Sequence, residues 1–209
     1  MSAYKNRVAD EILKDNLEAA GLVLIEGTKW CGKTTTAEQQ AGSIVYMNDP
    51  EHSESYLTLA QNAPKLLLRG ETPRLVDEWQ DATELWDAAR FEIDHREIKT
   101  GQFIFTGSTV VPKEKREKIK HSGTGRAARM IMRPMSLWES GESNGRLSLT
   151  ALFDNETEEA YDANPLDVEQ LSWLICRGGW PAALEMTKRG ALRQSINYIE
   201  AIASKDISD

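Results

Sequence analysis

Gly27, Gly32, Lys33 and Thr34 stand at the spacing G-x-x-x-x-G-K-T inside the stretch GTKWCGKTTTAE. Residues of these types in this order suit the capture of a polyphosphate. Glycines let the backbone curl until successive amides face one anion, and a helix that starts behind them adds its unpaired first-turn donors and positive dipole end. Lys33 brings a mobile full charge toward the β- and γ-phosphates, which gives it a catalytic as well as a binding role, and Thr34 offers a hydroxyl to Mg2+. The expected nucleotide-holding set is therefore Gly27, Thr28, Lys29, Trp30, Cys31, Gly32, Lys33, Thr34 and Thr35. Cys31 reads as a small residue that fits the loop rather than as a redox centre.

Holding a phosphate is not yet cleaving it. In RLVDEWQ the apolar pair Leu75 and Val76 leads directly to Asp77 and Glu78, at the carboxyl end of an expected strand, where α/β sheets bind their ligands. Period-two alternation is expected to turn the two carboxylates in different directions, so that Asp77 serves Mg2+ and Glu78 orients and deprotonates an attacking water. The strand QFIFTGS ends in hydroxyls; Ser108, and after it Thr106, is placed to sense the γ-phosphate. Arg126 follows two glycines in HSGTGR, and three roles are open to it: completing a neighbour's site in trans, acting in cis, or pairing with an acid. CRGGWPAALE is either a rigid corner between helices or a cap in which Trp180 and Pro181 close over the adenine while Arg177 reaches the phosphates.

These groups need a scaffold, and the pattern supplies one. Val8, Ile12, Leu13 and Leu17 mark a first helix, with Gly21 at its expected left-handed C-cap. Five short β-rich runs begin at Leu22, Ser43, Arg74, Gln102 and Ala128, with helix-compatible stretches between them; one of these carries Leu85, Trp86, Ala89 and Ile93 on one face and extends to about Lys99. Strands alternating with helices predict parallel pairing in a helix–sheet–helix sandwich. The acidic stretch NETEEAYDANP separates an expected core at residues 1–150 from a helical lid at 151–209.

With 209 residues, 40% apolar side chains and a net charge of −8, the chain does not suit a generally basic coat for nucleic acid. Its positive charge is local: between Pro112 and Pro134, Lys113, Lys115, Arg116, Lys118, Lys120, Arg126, Arg129 and Arg133 face only Glu114 and Glu117. Two distant cysteines and three scattered histidines give no disulfide framework or zinc spacing. The charged start and the lack of a long apolar run predict a cytoplasmic protein without a membrane span.

Taken together, GTKWCGKTTTAE, PRLVDEWQ, QFIFTGS, HSGTGR, RPMSLWESGES and RGGWPAALE resemble a family of bacterial and archaeal AAA-like P-loop ATPases that usually carry a C-terminal domain of unknown function. The resemblance covers nearly the whole chain, with PMSLWESGES and GGWP as its narrower marks. It implies an α/β P-loop NTPase sandwich with a parallel sheet ordered 5-1-4-3-2, ATP with Mg2+, and a small C-terminal helical lid similar to the G-x-P corner of signal-transduction ATPases. Family members continue into a second domain; this chain, ending at SKDISD, reads as truncated after its lid. The expected activity is Mg2+-dependent ATP hydrolysis that drives conformational change in a partner or appended domain, with a homo-oligomer and an unidentified protein or DNA as partners. Two other readings stand beside it: a nucleotide-gated, DNA-associated binding module with little hydrolysis, and a small-molecule kinase.

Overall fold

Leu22, Val23, Leu24 and Ile25 are all almost fully buried, which is what a strand covered on both faces requires. They form β1 (Leu22–Gly27), an inner strand, flanked on both sides, of a five-stranded sheet in a computed structural model that describes residues 4–108, 119, 121–154 and 166–206. The other strands are β2 (Ser43–Tyr46), β3 (Arg74–Asp77), β4 (Phe103–Ser108) and β5 (Ala127–Met132). Every pairing is parallel and the order is β2-β3-β4-β1-β5, the expected 5-1-4-3-2 read from the other edge. In register, Gly27 pairs with Ser108 on one side and Met132 on the other, while Asp77 pairs with Tyr46 and Thr106.

Side-chain alternation splits the core into two layers. Val23, Ile25, Leu75 and Ile104 pack with Leu13 and Leu17 of α1 (Val8–Ala19) and Ala37 of α2 (Lys33–Glu38). Leu22, Leu24, Val76, Phe103 and Phe105 pack on the other face. That face is covered by α3 (Ser53–Asn62), α4 (Pro64–Leu67) and α5 (Glu84–His95), through Ala60, Leu67, Leu85, Trp86, Ala89 and Ile93. Each large apolar side chain so buried contributes about 2 kcal/mol. The weakly helical stretch 53–68 is two helices because Pro64, at the first position of α4, has no amide to continue α3.

Two local expectations change. Gly21 does not cap α1 with a positive φ; the helix ends at an extended Ala20, and Gly21 is needed because a Cβ there would lie 2.5 Å from the Lys99 carbonyl oxygen and 2.7 Å from Ile93. The helix expected to reach Lys99 stops at His95, where Arg96 turns its guanidinium to Gln102 Oε1 (2.8 Å) and the Leu68 carbonyl (3.2 Å).

Contacts group residues 6–133, which hold the sheet, as one unit, and residues 134–209 with 1–5 as another. The second unit contains α6 (Leu137–Ser140), α7 (Leu149–Phe153), α8 (Val168–Arg177), a 3-10 turn (Pro181–Glu185) and α9 (Lys188–Ala201). Capping boxes at Ser136 with Glu139 and at Asp167 with Gln170 start α6 and α8. The acidic stretch 155–165 lies outside the described residues. No helix among the described residues is long and apolar enough to cross a membrane.

Candidate active site

The loop after β1 turns sharply because two of its residues take left-handed backbone, Trp30 at φ 66° and Gly32 at φ 99°. Gly32 does so without a Cβ penalty; Trp30 pays roughly 1 kcal/mol, the kind of strain that concentrates at functional sites. Gly27 answers to packing: a Cβ there would sit 2.2 Å from the Met132 carbonyl oxygen on β5. Thr28, Lys29, Trp30 and Thr35 are exposed, whereas Cys31 is fully buried with its thiol 3.6 Å from that same Met132 oxygen. Cys31 therefore fills space, while Cys176 lies exposed in the second unit.

Behind the loop, α2 begins at Lys33, and its first-turn amides have no acceptor within a helix. Lys33 is itself buried and reaches back across the loop, donating to the carbonyls of Gly27 and Thr28 at 3.0 Å each. Its ammonium is thus held at the mouth of the curl by the loop's own backbone.

β3 ends at Asp77, which is only 6% exposed. Oδ1 accepts hydrogen bonds from Thr34 Oγ1 at 2.7 Å and from Thr106 Oγ1 at 2.5 Å. One carboxylate oxygen therefore joins the phosphate loop, β3 and β4. Oδ2 makes no hydrogen bond among the described residues. A hydroxyl and a carboxylate side by side fit Mg2+, which takes few protein ligands and completes its shell with phosphate and water. Among the described residues there is no cluster of three or more His, Cys, Asp or Glu side chains able to cage a metal by themselves.

Glu78 separates from Asp77 by a route the alternation argument did not foresee. The strand has already ended, and Glu78 adopts φ 57° and ψ 44°, a left-handed conformation for a non-glycine residue. A 3-10 turn (Trp79–Asp81) follows, with the Asp81 amide bonded to the Glu78 carbonyl at 3.0 Å. Gln80 folds back and donates from Nε2 to Glu78 Oε2. On β2, Tyr46 donates to Glu38 at 2.7 Å; that bond, with burial and the charges of Glu38 and Asp77, pushes the phenol up to about 12. It stays neutral and adds no charge beside Asp77.

The structure brings Lys33, Thr34, Asp77 and Glu78 to one end of the sheet and adds Thr106, the second choice on β4. Ser108 lies on the same strand, with its backbone paired to Gly27 at the loop's first residue. Arg126 does not join them. Its carbonyl receives the Gly21 and Leu22 amides at the amino end of β1, one strand length, or about 16 Å, from the loop. Its guanidinium pairs with Asp94 at 2.9 Å, and this hydrogen bond and charge hold the Asp94 carboxyl below its ordinary value. Of the three roles open to Arg126, pairing with an acid is the one the geometry shows.

Lys113, Glu114, Lys115, Arg116, Glu117, Lys118 and Lys120 lie outside the described residues. Pro181 opens the 3-10 turn of the second unit, beside Trp180, whose ring packs on Tyr198 at 4.7 Å. Arg177 is 4% exposed and spends its donors locally, on Glu142 at 2.5 Å, Ser140 at 3.4 Å and the Gly178 carbonyl at 3.1 Å. The two family-marking segments are thereby one structural unit: the Met135 amide bonds the Gly179 carbonyl at 2.7 Å, and a Cβ on Gly179 would lie 2.2 Å from the Met135 oxygen.

Two site residues escaped the sequence reading. Arg7 is buried ahead of α1 and donates to the carbonyls of Cys31 and Arg133 at 2.8 Å each, bracing the loop against the end of β5. Nothing in its sequence neighbourhood signals this. Gln80, by contrast, closes the quoted motif RLVDEWQ, and its place two residues after Glu78 was an available signal.

A family model described as an AAA domain matches residues 19–140, more than half of the chain. Among solved structures, a Walker-type ATPase of Pyrococcus abyssi is 13% identical, with a TM-score of 0.48, over 98% of this chain and 75% of that one. A RuvB variant from Thermotoga maritima is 19% identical, with a TM-score of 0.37, over 66% of this chain and 49% of that one. No curated protein matches the sequence. The phosphate loop after the first strand, the acid-terminated third strand and the family match together make the chain a member of the AAA domain family of P-loop ATPases.

Proposed function

We propose that the chain is an Mg2+-dependent ATPase in which residues 27–35 hold the nucleotide and Glu78 is the general base. The observation that carries this reading is the pair of hydrogen bonds from Thr34 and Thr106 to one oxygen of Asp77, which joins the phosphate loop to the acid strand. Thr34 and Asp77 would hold Mg2+, which supplies charge neutralisation at the β- and γ-phosphate oxygens when bound. Lys33 exchanges its loop carbonyls for phosphate oxygens. Glu78 takes a proton from water as the water oxygen bonds the γ-phosphorus. The bond to the β–γ bridging oxygen breaks, and ADP leaves with its electron pair. On this reading Ser108 serves as γ-phosphate sensor, and the helices after residue 150 serve as a lid whose movement is passed to a partner protein, a DNA or a second copy.

Glu78 also favours water over an alcohol or nucleotide acceptor, since a carboxylate next to the metal-binding acid needs no substrate hydroxyl to act on. Phosphate release by the purified chain, measured with ATP and Mg2+, is the test. Turnover that EDTA abolishes and that Glu78→Gln removes supports the proposal; wild-type protein that binds ATP without releasing phosphate overturns it.

A further inference from the structure

Glu78 is a half-buried carboxylate on a left-handed residue, a combination whose backbone alone does not aim the side chain. We propose that Gln80 is a positioning residue that aims it: the Gln80 amide pins Oε2 of Glu78 and leaves Oε1 as the oxygen that meets water. This rests on the reading of Glu78 as the base.

Three features support it. First, Gln80 is 9% exposed and sits inside the 3-10 turn Trp79–Asp81, where the Asp81 amide bond to the Glu78 carbonyl fixes the distance between the two residues. Second, its Nε2 donates to Oε2, while Oε1 makes no hydrogen bond among the described residues. An acceptor held on one oxygen by a neutral donor keeps its other oxygen free for a proton. Third, the amide is wedged against β4 at a residue that cannot carry a side chain: a Cβ on Gly107 would lie 2.3 Å from Gln80 Oε1 and 3.0 Å from the Trp79 ring. Trp79 in turn packs on Trp86 at 5.2 Å and Phe105 at 5.9 Å. The glycine in FTGS thus makes room for the amide, and the aromatic cluster stops the turn from rotating. Backbone, amide and core then define where the carboxylate points.

Substitution by Gln80→Met keeps the length and removes the donor. With the wild type turning over, it is expected to lower kcat roughly 10- to 100-fold, the scale of a base displaced by about an ångström, while the Kd for ATP stays unchanged. Gln80→Asn, which keeps an amide on a shorter arm, should recover part of the loss. In a Glu78→Gln background, Gln80→Met should cause no further loss, because a residue acting through Glu78 has nothing left to position. An independent multiplicative loss there, or a fall in ATP affinity that accounts for the slower turnover, would overturn the proposal. A second readout needs no hydrolysis. Gln80→Met should lower Tm more in the wild type than in a Glu78→Ala background, where the bond to Glu78 is already gone; equal shifts in the two backgrounds count against the pin. A wild type without turnover would remove the hydrolysis reading, and the melting cycle alone would then decide whether Gln80 holds Glu78.

Discussion

Thr34 and Asp77 are 43 residues apart in the chain and 2.7 Å apart in space. Their contact joins the start of the helix behind the phosphate loop to the end of β3, and Thr106 closes the arrangement from the neighbouring strand. A parallel sheet makes this possible, because every strand delivers its carboxyl end to the same edge. The residues proposed for phosphate capture and for water activation then share one corner.

Lys33 lies at the mouth of the loop and, among the described residues, bonds only loop carbonyls, so its removal should spare the core. We expect Lys33→Ala to raise the Kd for ATP by roughly 100-fold, the loss of one or two charge-assisted bonds, with Tm within a few degrees of the wild type. Titration with a fluorescent ATP analogue measures it. Near-normal affinity would remove the phosphate-cradle assignment.

Thr34→Val and Asp77→Asn should each raise the Mg2+ concentration needed for half-maximal turnover by roughly 10-fold or more. EDTA should abolish activity, and added Mg2+ should restore it. Asp77→Ala should also destabilise the fold by about 2 kcal/mol, because the buried Thr106 hydroxyl loses its acceptor. Unchanged metal dependence in both conservative variants would place Mg2+ elsewhere.

Glu78→Gln keeps the shape of the side chain and removes its capacity to take a proton. It is expected to bind ATP normally and to hydrolyse it at least about 100-fold more slowly. Single-turnover phosphate release on the protein–ATP complex gives the rate, and wild-type turnover in this variant would show that another group activates water.

Arg126 sits at the far end of β1 and pairs with Asp94. Arg126→Ala should therefore leave turnover per subunit unchanged in dilute protein. A loss of activity at the lowest concentrations would return Arg126 to its own chain's site. A loss seen only as concentration rises would show that it completes a neighbour's.

In the second unit, burial opposes ionisation of Glu142, but hydrogen bonds from Arg177 and Ser140 outweigh it and hold the carboxyl below its ordinary value. A depressed folded value stabilises above the unfolded carboxylate value, near pH 4.3, and that contribution is lost as pH falls through the folded value. Acid should thus loosen this unit below about pH 4, and Glu142→Gln should blunt that dependence in near-ultraviolet circular dichroism. Arg177→Ala should cost about 3 kcal/mol, since it strands a partly buried carboxylate, and thermal unfolding would read the loss. An Arg177→Ala protein as stable as the wild type would show that Arg177 is held for another purpose.

Local order along the chain was enough to establish much of this protein. The strand run LVLIE, the glycine–lysine–threonine spacing after it, the acids closing RLVD and the helix face of Leu85, Trp86, Ala89 and Ile93 are each short-range patterns, and short-range periodicity is what backbone geometry and burial act on first. Strand order came from the family resemblance, and the order of the sheet agrees with it. What only the tertiary structure decided are relationships between segments distant in sequence. Thr106 reaches Asp77, Arg7 braces Cys31, Arg177 closes on Glu142, and Gly21 is a close contact instead of a helix cap. Arg126, whose glycine-flanked position left three roles open, belongs to the opposite end of the sheet because β5 runs parallel to β1 and begins there. Sequence spacing states which residue types a chemistry needs, but the direction and register of the strands decide which of them meet.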